Sequence, residues 1–220
     1  MVSISFIPDW FLNYGIIFQF AFAIITLLVS IYSFRVYRLS GQKKSRTFGL
    51  AFLFISISYF IQSFINLAII SELNENVLNL IEFRNLITLD NIAIFFHMIF
   101  FVFGLVTLIY MILGGKNRLL YVISLIISAL FIFASANNLP FFYIFSSLLL
   151  IFILSDYVSN YIKNRNGKTF LIMLAFVFLL VGHLNFIFLA TNQLVYVVGN
   201  FLEFAAYILI LINLLRVIKK

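Results

Sequence analysis

The sequence predicts an all-α, polytopic membrane protein with seven transmembrane helices, its N-terminus outside and its C-terminus in the cytoplasm. Three observations carry this. Of 220 residues, 65% are hydrophobic and only 10% are charged, whereas soluble domains carry about 25% charged residues. The apolar residues fall into runs of about 20, the length an α-helix needs to cross a hydrocarbon core about 30 Å thick. The basic residues collect in alternate connections between those runs, as the positive-inside rule requires of cytoplasmic loops.

The first helix is expected over Trp10–Phe34, with Trp10 and Tyr14 as interfacial anchors. The start of the chain, MVSISFIPDW, has no basic n-region. The apolar run also continues through Ala21-Phe22-Ala23, so an uncleaved first helix is expected rather than a signal peptide. A basic loop, Arg35–Arg46, leads to helix 2 over Thr47–Ile70. The segment Ser71–Asp90 is polar and acidic (Glu72, Glu75, Glu82 and Asp90 against Arg84), with a candidate interfacial helix at Asn76–Leu86. Helix 3 follows over Asn91–Leu113. Gly114-Gly115-Lys116-Asn117-Arg118 makes a tight basic turn into a short helix 4, Leu119–Ser135.

Asn137-Asn138-Leu139-Pro140 breaks the chain, and Pro140 suits the first turn of helix 5, which runs to Ile162. A second tight basic turn, Lys163–Lys168, opens helix 6 over Thr169–Ala190. Helix 7 covers Leu194–Lys220. Of the 14 Lys and Arg residues, all but Arg84 lie in the first, third and fifth connections or at the C-terminal end. The net charge of +7 is therefore assigned to topology at the cell membrane and not to nucleic-acid binding. Seven helices account for residues 1–220 as one transmembrane domain. The absence of cysteine excludes disulfides and thiolate metal sites.

A weak internal repeat runs through the chain. Val29-Ser30-Ile31-Tyr32 leads through a basic connection to Arg46-Thr47-Phe48; Leu154-Ser155-Asp156-Tyr157 leads through another to Lys168-Thr169-Phe170. This suggests a 3+1+3 plan, with helices 1–3 related to 5–7 and helix 4 as the linker, as in parallel-repeat transporters. Two known seven-helix types do not fit. Helix 7 has Lys only at 219 and 220, so no mid-helix Schiff base to retinal is available. Neither proline, Pro8 or Pro140, is followed by the Gln of the Pro-Gln sugar transporters.

Candidate functional residues emerge from depth. A carboxylate in mid-membrane costs about 2.5–3.5 kcal/mol on insertion scales and therefore faces a partner or a wet cavity. Glu203 is such a residue. At 1.5 Å per residue it lies about 13 Å below the outer end of helix 7, and His97 about 9 Å below that of helix 3. His183 and Gln62 lie about 21–22 Å up from the cytoplasmic ends of helices 6 and 2. All four fall in one outer layer about 5 Å thick, with Asn185 and Asn200 nearby. These six residues, His97, His183, Glu203, Gln62, Asn200 and Asn185, form the candidate ligand-binding set. Asp156 stands apart, inside the cytoplasmic end of helix 5, where Arg35 or Arg118 is its expected ion-pair partner.

Three functions suit such a layer. The leading expectation is a transporter or ligand-binding membrane protein with an outward-facing polar pocket for a small molecule or a proton. In it, Glu203 and a histidine would form a proton-responsive pair. The second is a receptor or scaffold that engages a cytoplasmic partner through the loop Arg35–Arg46, which also suits anionic lipid. The third is an intramembrane metal enzyme, because two imidazoles and a carboxylate are a catalytic zinc set. The His-Glu-x-x-His motif is absent, however, so no catalytic residue, metal or cofactor is assigned.

Overall fold

A computed structural model of the protein describes residues 11–73, 80–115, 117–134, 139–188 and 193–218. Trp10, the C-terminal Lys219 and Lys220, and the side chains of the acidic segment 71–87 lie outside what is described. Its seven helices are α1 (Leu12–Ser40), α2 (Lys43–Leu73), α3 (Leu80–Ile112), α4 (Arg118–Ala134), α5 (Leu139–Asn164), α6 (Gly167–Ile187) and α7 (Gln193–Ile218). Six of them are long and apolar enough to cross a membrane; α4, at 17 residues, is the shorter one. The chain is a multi-pass helical membrane protein.

Two expectations about connections are corrected. The stretch Arg35–Arg46 is not a loop. Arg35 and Arg38 continue α1, Lys43, Lys44 and Arg46 begin α2, and only Gly41 and Gln42 lie between. Gly41 makes the reversal with φ 67°, a left-handed cap whose N–H donates to the Tyr37 carbonyl at 2.8 Å. The basic charges expected on a loop therefore sit on two helix ends. Likewise, the described part of the candidate interfacial helix at 76–86 is not a separate helix; residues 74–79 lie outside what is described. From Leu80 onward that segment is the first turns of α3, which runs 33 residues without a break. Apart from Gly41 and Gln42, the described residues of both regions are helical; charge marks the edge of the membrane, not the end of the helix.

The turns expected from Gly and Asn are present. Gly114 and Gly115 adopt φ 85° and 55° between α3 and α4, and the Tyr110 hydroxyl donates to the Gly115 carbonyl at 2.6 Å. Asn166 caps α6, its side chain accepting from the Lys168 N–H at 3.1 Å.

Helix contacts define the architecture. Neighbours run α1–α2–α3–α5–α6–α7 and back to α1, a closed ring of six. Renumbering each helix by four maps the contacts α1–α2 and α2–α3 onto α5–α6 and α6–α7, and α1–α7 onto α5–α3. That is the two-fold contact plan a 3+1+3 repeat requires. Helix α4 lies outside the ring against α3, held by a Thr107–Tyr121 hydroxyl contact at 2.9 Å and by Phe131 stacking on Phe141.

Small and hydroxyl residues set the close approaches, as expected where lipid supplies no hydrophobic drive between helices. Ser30 of α1 donates to the Gly49 carbonyl of α2, and Ser56 of α2 returns a bond to the Ala23 carbonyl, both at 2.8 Å. Gly104 lets α3 lie against Ala51 and Ile55 of α2, and Gly182 lets α6 lie against the Gly199 carbonyl of α7. The two triplets thus use one device. Between them, Phe22, Phe101, Tyr207 and Ile210 form a buried central plug.

Candidate functional site: a buried polar network between the two helix triplets

Glu203 sits on the face of α7 that turns into the ring and is 3% exposed. Gly182 makes room for it: a Cβ there would stand 3.2 Å from the Glu203 Cγ. Each carboxylate oxygen has its own neighbour. The Tyr59 hydroxyl of α2 donates to Oε2 at 3.0 Å. Nε2 of His183 on α6 lies 3.2 Å from Oε1. A phenol carries a single proton. Tyr59 spends it on Glu203, so the Tyr207 hydroxyl, 3.1 Å away, donates to Tyr59. The result is a chain, Tyr207 to Tyr59 to Glu203, that spans both triplets.

Nε2 of His183 is at ion-pair distance from Glu203 but lacks hydrogen-bond alignment, and no other described residue satisfies it. Its Nδ1 lies 3.0 Å from the Ser146 hydroxyl of α5. Ser146 also lies 3.1 Å from the Tyr143 carbonyl. Two proton arrangements fit these contacts. In one, Ser146 donates to Nδ1 and the Nε2–H faces the carboxylate. In the other, Ser146 donates to the Tyr143 carbonyl, Nδ1–H donates to Ser146, and a proton on Glu203 faces the bare Nε2. The two arrangements differ by one proton on the Glu203–His183 pair: its uptake leaves a proton on Glu203 and one on Nδ1 in place of Nε2, with the Ser146 hydroxyl turned from Nδ1 to the Tyr143 carbonyl.

His97 of α3 completes the layer without touching Glu203. Its ring is held against the Ser58 main chain of α2 and packs 5.1 Å from the Tyr59 ring. Its Nδ1 is buried with no partner among the described residues. Phe101 separates the imidazoles, 5.7 Å from His97 and 5.0 Å from His183, centroid to centroid.

Five of the six expected residues, His97, His183, Glu203, Gln62 and Asn200, line one cavity of about 50 Å³. Gln62 and His97 also line a second, of about 60 Å³, that continues toward Asp90 and Asn66. Gln19 belongs to both cavities and accepts from the Asn66 amide at 2.9 Å. Asn185 does not reach either cavity. Its amide donates back to the Val181 carbonyl of its own helix at 2.9 Å. The sequence reading left Tyr59, Tyr207 and Ser146 out of the set, although Tyr59 shares the polar stripe of α2 and Tyr207 lies one helical turn from Glu203.

No three His, Cys, Asp or Glu residues cluster closely enough to hold a metal ion among the described residues. Asp156 is also placed otherwise than expected. It accepts from the Asn160 amide at 2.9 Å and forms no ion pair with Arg35 or Arg118. Compared with known proteins, the chain matches no family model, and no curated protein or solved structure matches it.

Proposed function

We propose that the protein is a small membrane carrier in which Glu203 and His183 form a proton-binding pair at the seam between two three-helix units. The observation that carries this reading is the carboxylate itself. It is buried in the membrane core, held by a tyrosine from one triplet and a histidine from the other, and it borders a polar cavity. A group bonded across a seam changes the fit of the two halves when it gains or loses a proton, which is how a proton could bias an alternating-access equilibrium. The cavity, at about 50 Å³, holds one or two waters. The proton is therefore the ligand that suits this arrangement of the helices.

In liposomes loaded with a pH-reporting dye, the purified protein should collapse an imposed pH gradient faster than empty vesicles, with further acceleration when the transported solute is present. Vesicles that hold their gradient equally well with and without protein, across a panel of solutes, would remove the carrier reading. Orientation is tested separately, because the native chain has no cysteine. In intact cells, Thr191→Cys should react with a membrane-impermeant maleimide and Gln42→Cys should not. The reverse pattern would invert the topology.

A further inference from the structure

At the basic end of the ring, opposite the Glu203 layer, the helix ends border a larger cavity of about 400 Å³ that is open to the outside. Its wall draws on α1, α2, α3, α5, α6 and α7, so it lies on the same seam between the triplets. Along α7, ten residues separate Glu203 from Asn213, which puts the two sites about 15 Å apart, with Tyr207 and Ile210 buried between them. The volume is within the range of small-molecule pockets, about 300–1,000 Å³, unlike the water-sized cavities of the other layer.

Three wall residues define the chemistry. Asp156 offers a carboxylate that accepts a hydrogen bond from Asn160 and has no cationic partner among the described residues. Lys44 lines the same cavity from its exposed rim, and the two opposite charges are not paired with each other. Asn213 lines it from α7, is 4% exposed, and its side-chain oxygen has no partner among the described residues. A buried amide oxygen left unsatisfied costs about 1–3 kcal/mol, a cost that a ligand donor would relieve. Tyr157 and Phe48 supply apolar wall.

We infer that this cavity is a binding site for a small zwitterion of the amino-carboxylate class, with its ammonium group on Asp156 and Asn213 and its carboxylate toward Lys44. An ammonium carries donors for both oxygens, and a carboxylate is the group a lysine at the rim attracts. The molecule would be the solute of the proposed carrier, so this inference deepens that reading, although binding itself requires no transport.

Saturation-transfer NMR on the full-length protein in detergent tests it with three probes of equal chain length: γ-aminobutyrate, n-butylammonium and butyrate, with glycine as a shorter zwitterion. A zwitterion should bind best and butyrate least. Asp156→Asn keeps the bond to Asn160 and should weaken zwitterion binding about tenfold or more, the loss of one charge-assisted bond. Lys44→Gln should bring γ-aminobutyrate down to the level of n-butylammonium. Thermal melting of each variant shows whether it is folded. The inference fails if neither zwitterion binds, if butyrate or n-butylammonium binds as well as γ-aminobutyrate, or if folded Asp156→Asn binds as wild type does. Binding with no flux would overturn the carrier reading alone.

Discussion

Glu203→Gln should abolish proton-linked flux in a protein that still folds, and Glu203→Leu should abolish flux and destabilise the bundle as well. The difference follows from what surrounds the carboxylate. Gln keeps the shape of Glu and retains an oxygen to accept from Tyr59, so the Tyr207–Tyr59 chain still has an end. Leu removes that acceptor and leaves the Tyr59 hydroxyl and Nε2 of His183 facing a hydrocarbon group. Each stranded polar group costs about 1–3 kcal/mol, so Leu should lower stability by about 2–6 kcal/mol, and Gln by less than about 1 kcal/mol, the loss of one modest bond. Melting curves in detergent separate the two variants, and the dye-loaded vesicles read flux. Normal gradient collapse by Glu203→Gln would mean that the carboxylate only ties α2, α6 and α7 together.

The site was partly legible before the fold because depth in a membrane can be counted. Charges fix the helix ends approximately, the rise per residue does the rest, and His97, His183, Glu203 and Gln62 came out at one level. Depth alone does not say which way a side chain faces. Asn185 is two residues from His183 and so about 200° around the helix, which takes it off the cavity wall. Asn200 is three residues from Glu203, about 60° around, and stays on it. Tyr59 and Tyr207 were passed over for another reason. In a chain with 11 Tyr and 30 Phe, an aromatic residue is weak information until its hydroxyl is seen to have a partner, and that partner is 144 positions away for Tyr59 and Glu203. Hydropathy likewise located the membrane-spanning stretches but not the helix ends. Arg35–Ser40 and Leu80–Leu89 are helical because nothing in them opposes helix formation, a property that the transfer of residues into lipid does not measure.

The second large effect is expected at Gly104, whose nearest neighbours carry no titratable group. A Cβ placed there would stand 2.5 Å from Cγ1 of Ile55 and 2.9 Å from the Ala51 carbonyl oxygen. Neither neighbour can yield cheaply. Ile55 is β-branched and 2% exposed, within the core, so its rotamers are few. The Ala51 oxygen is helix backbone. Relief requires α2 and α3 to move apart, and these helices carry Tyr59, one turn beyond Ile55, and His97, two turns before Gly104. Gly104→Ala should therefore cost about 1–3 kcal/mol, as overpacking does, and Gly104→Val more. Both should also weaken gradient collapse, because Tyr59, which donates to Glu203, is carried on α2, one of the two helices that the substitution displaces. Gly167→Ala is the matched control: a Cβ there meets nothing within 4 Å, and Ala favours the helix it begins. A melting temperature for Gly104→Ala no lower than that of Gly167→Ala would show that α2 and α3 do not approach at this glycine.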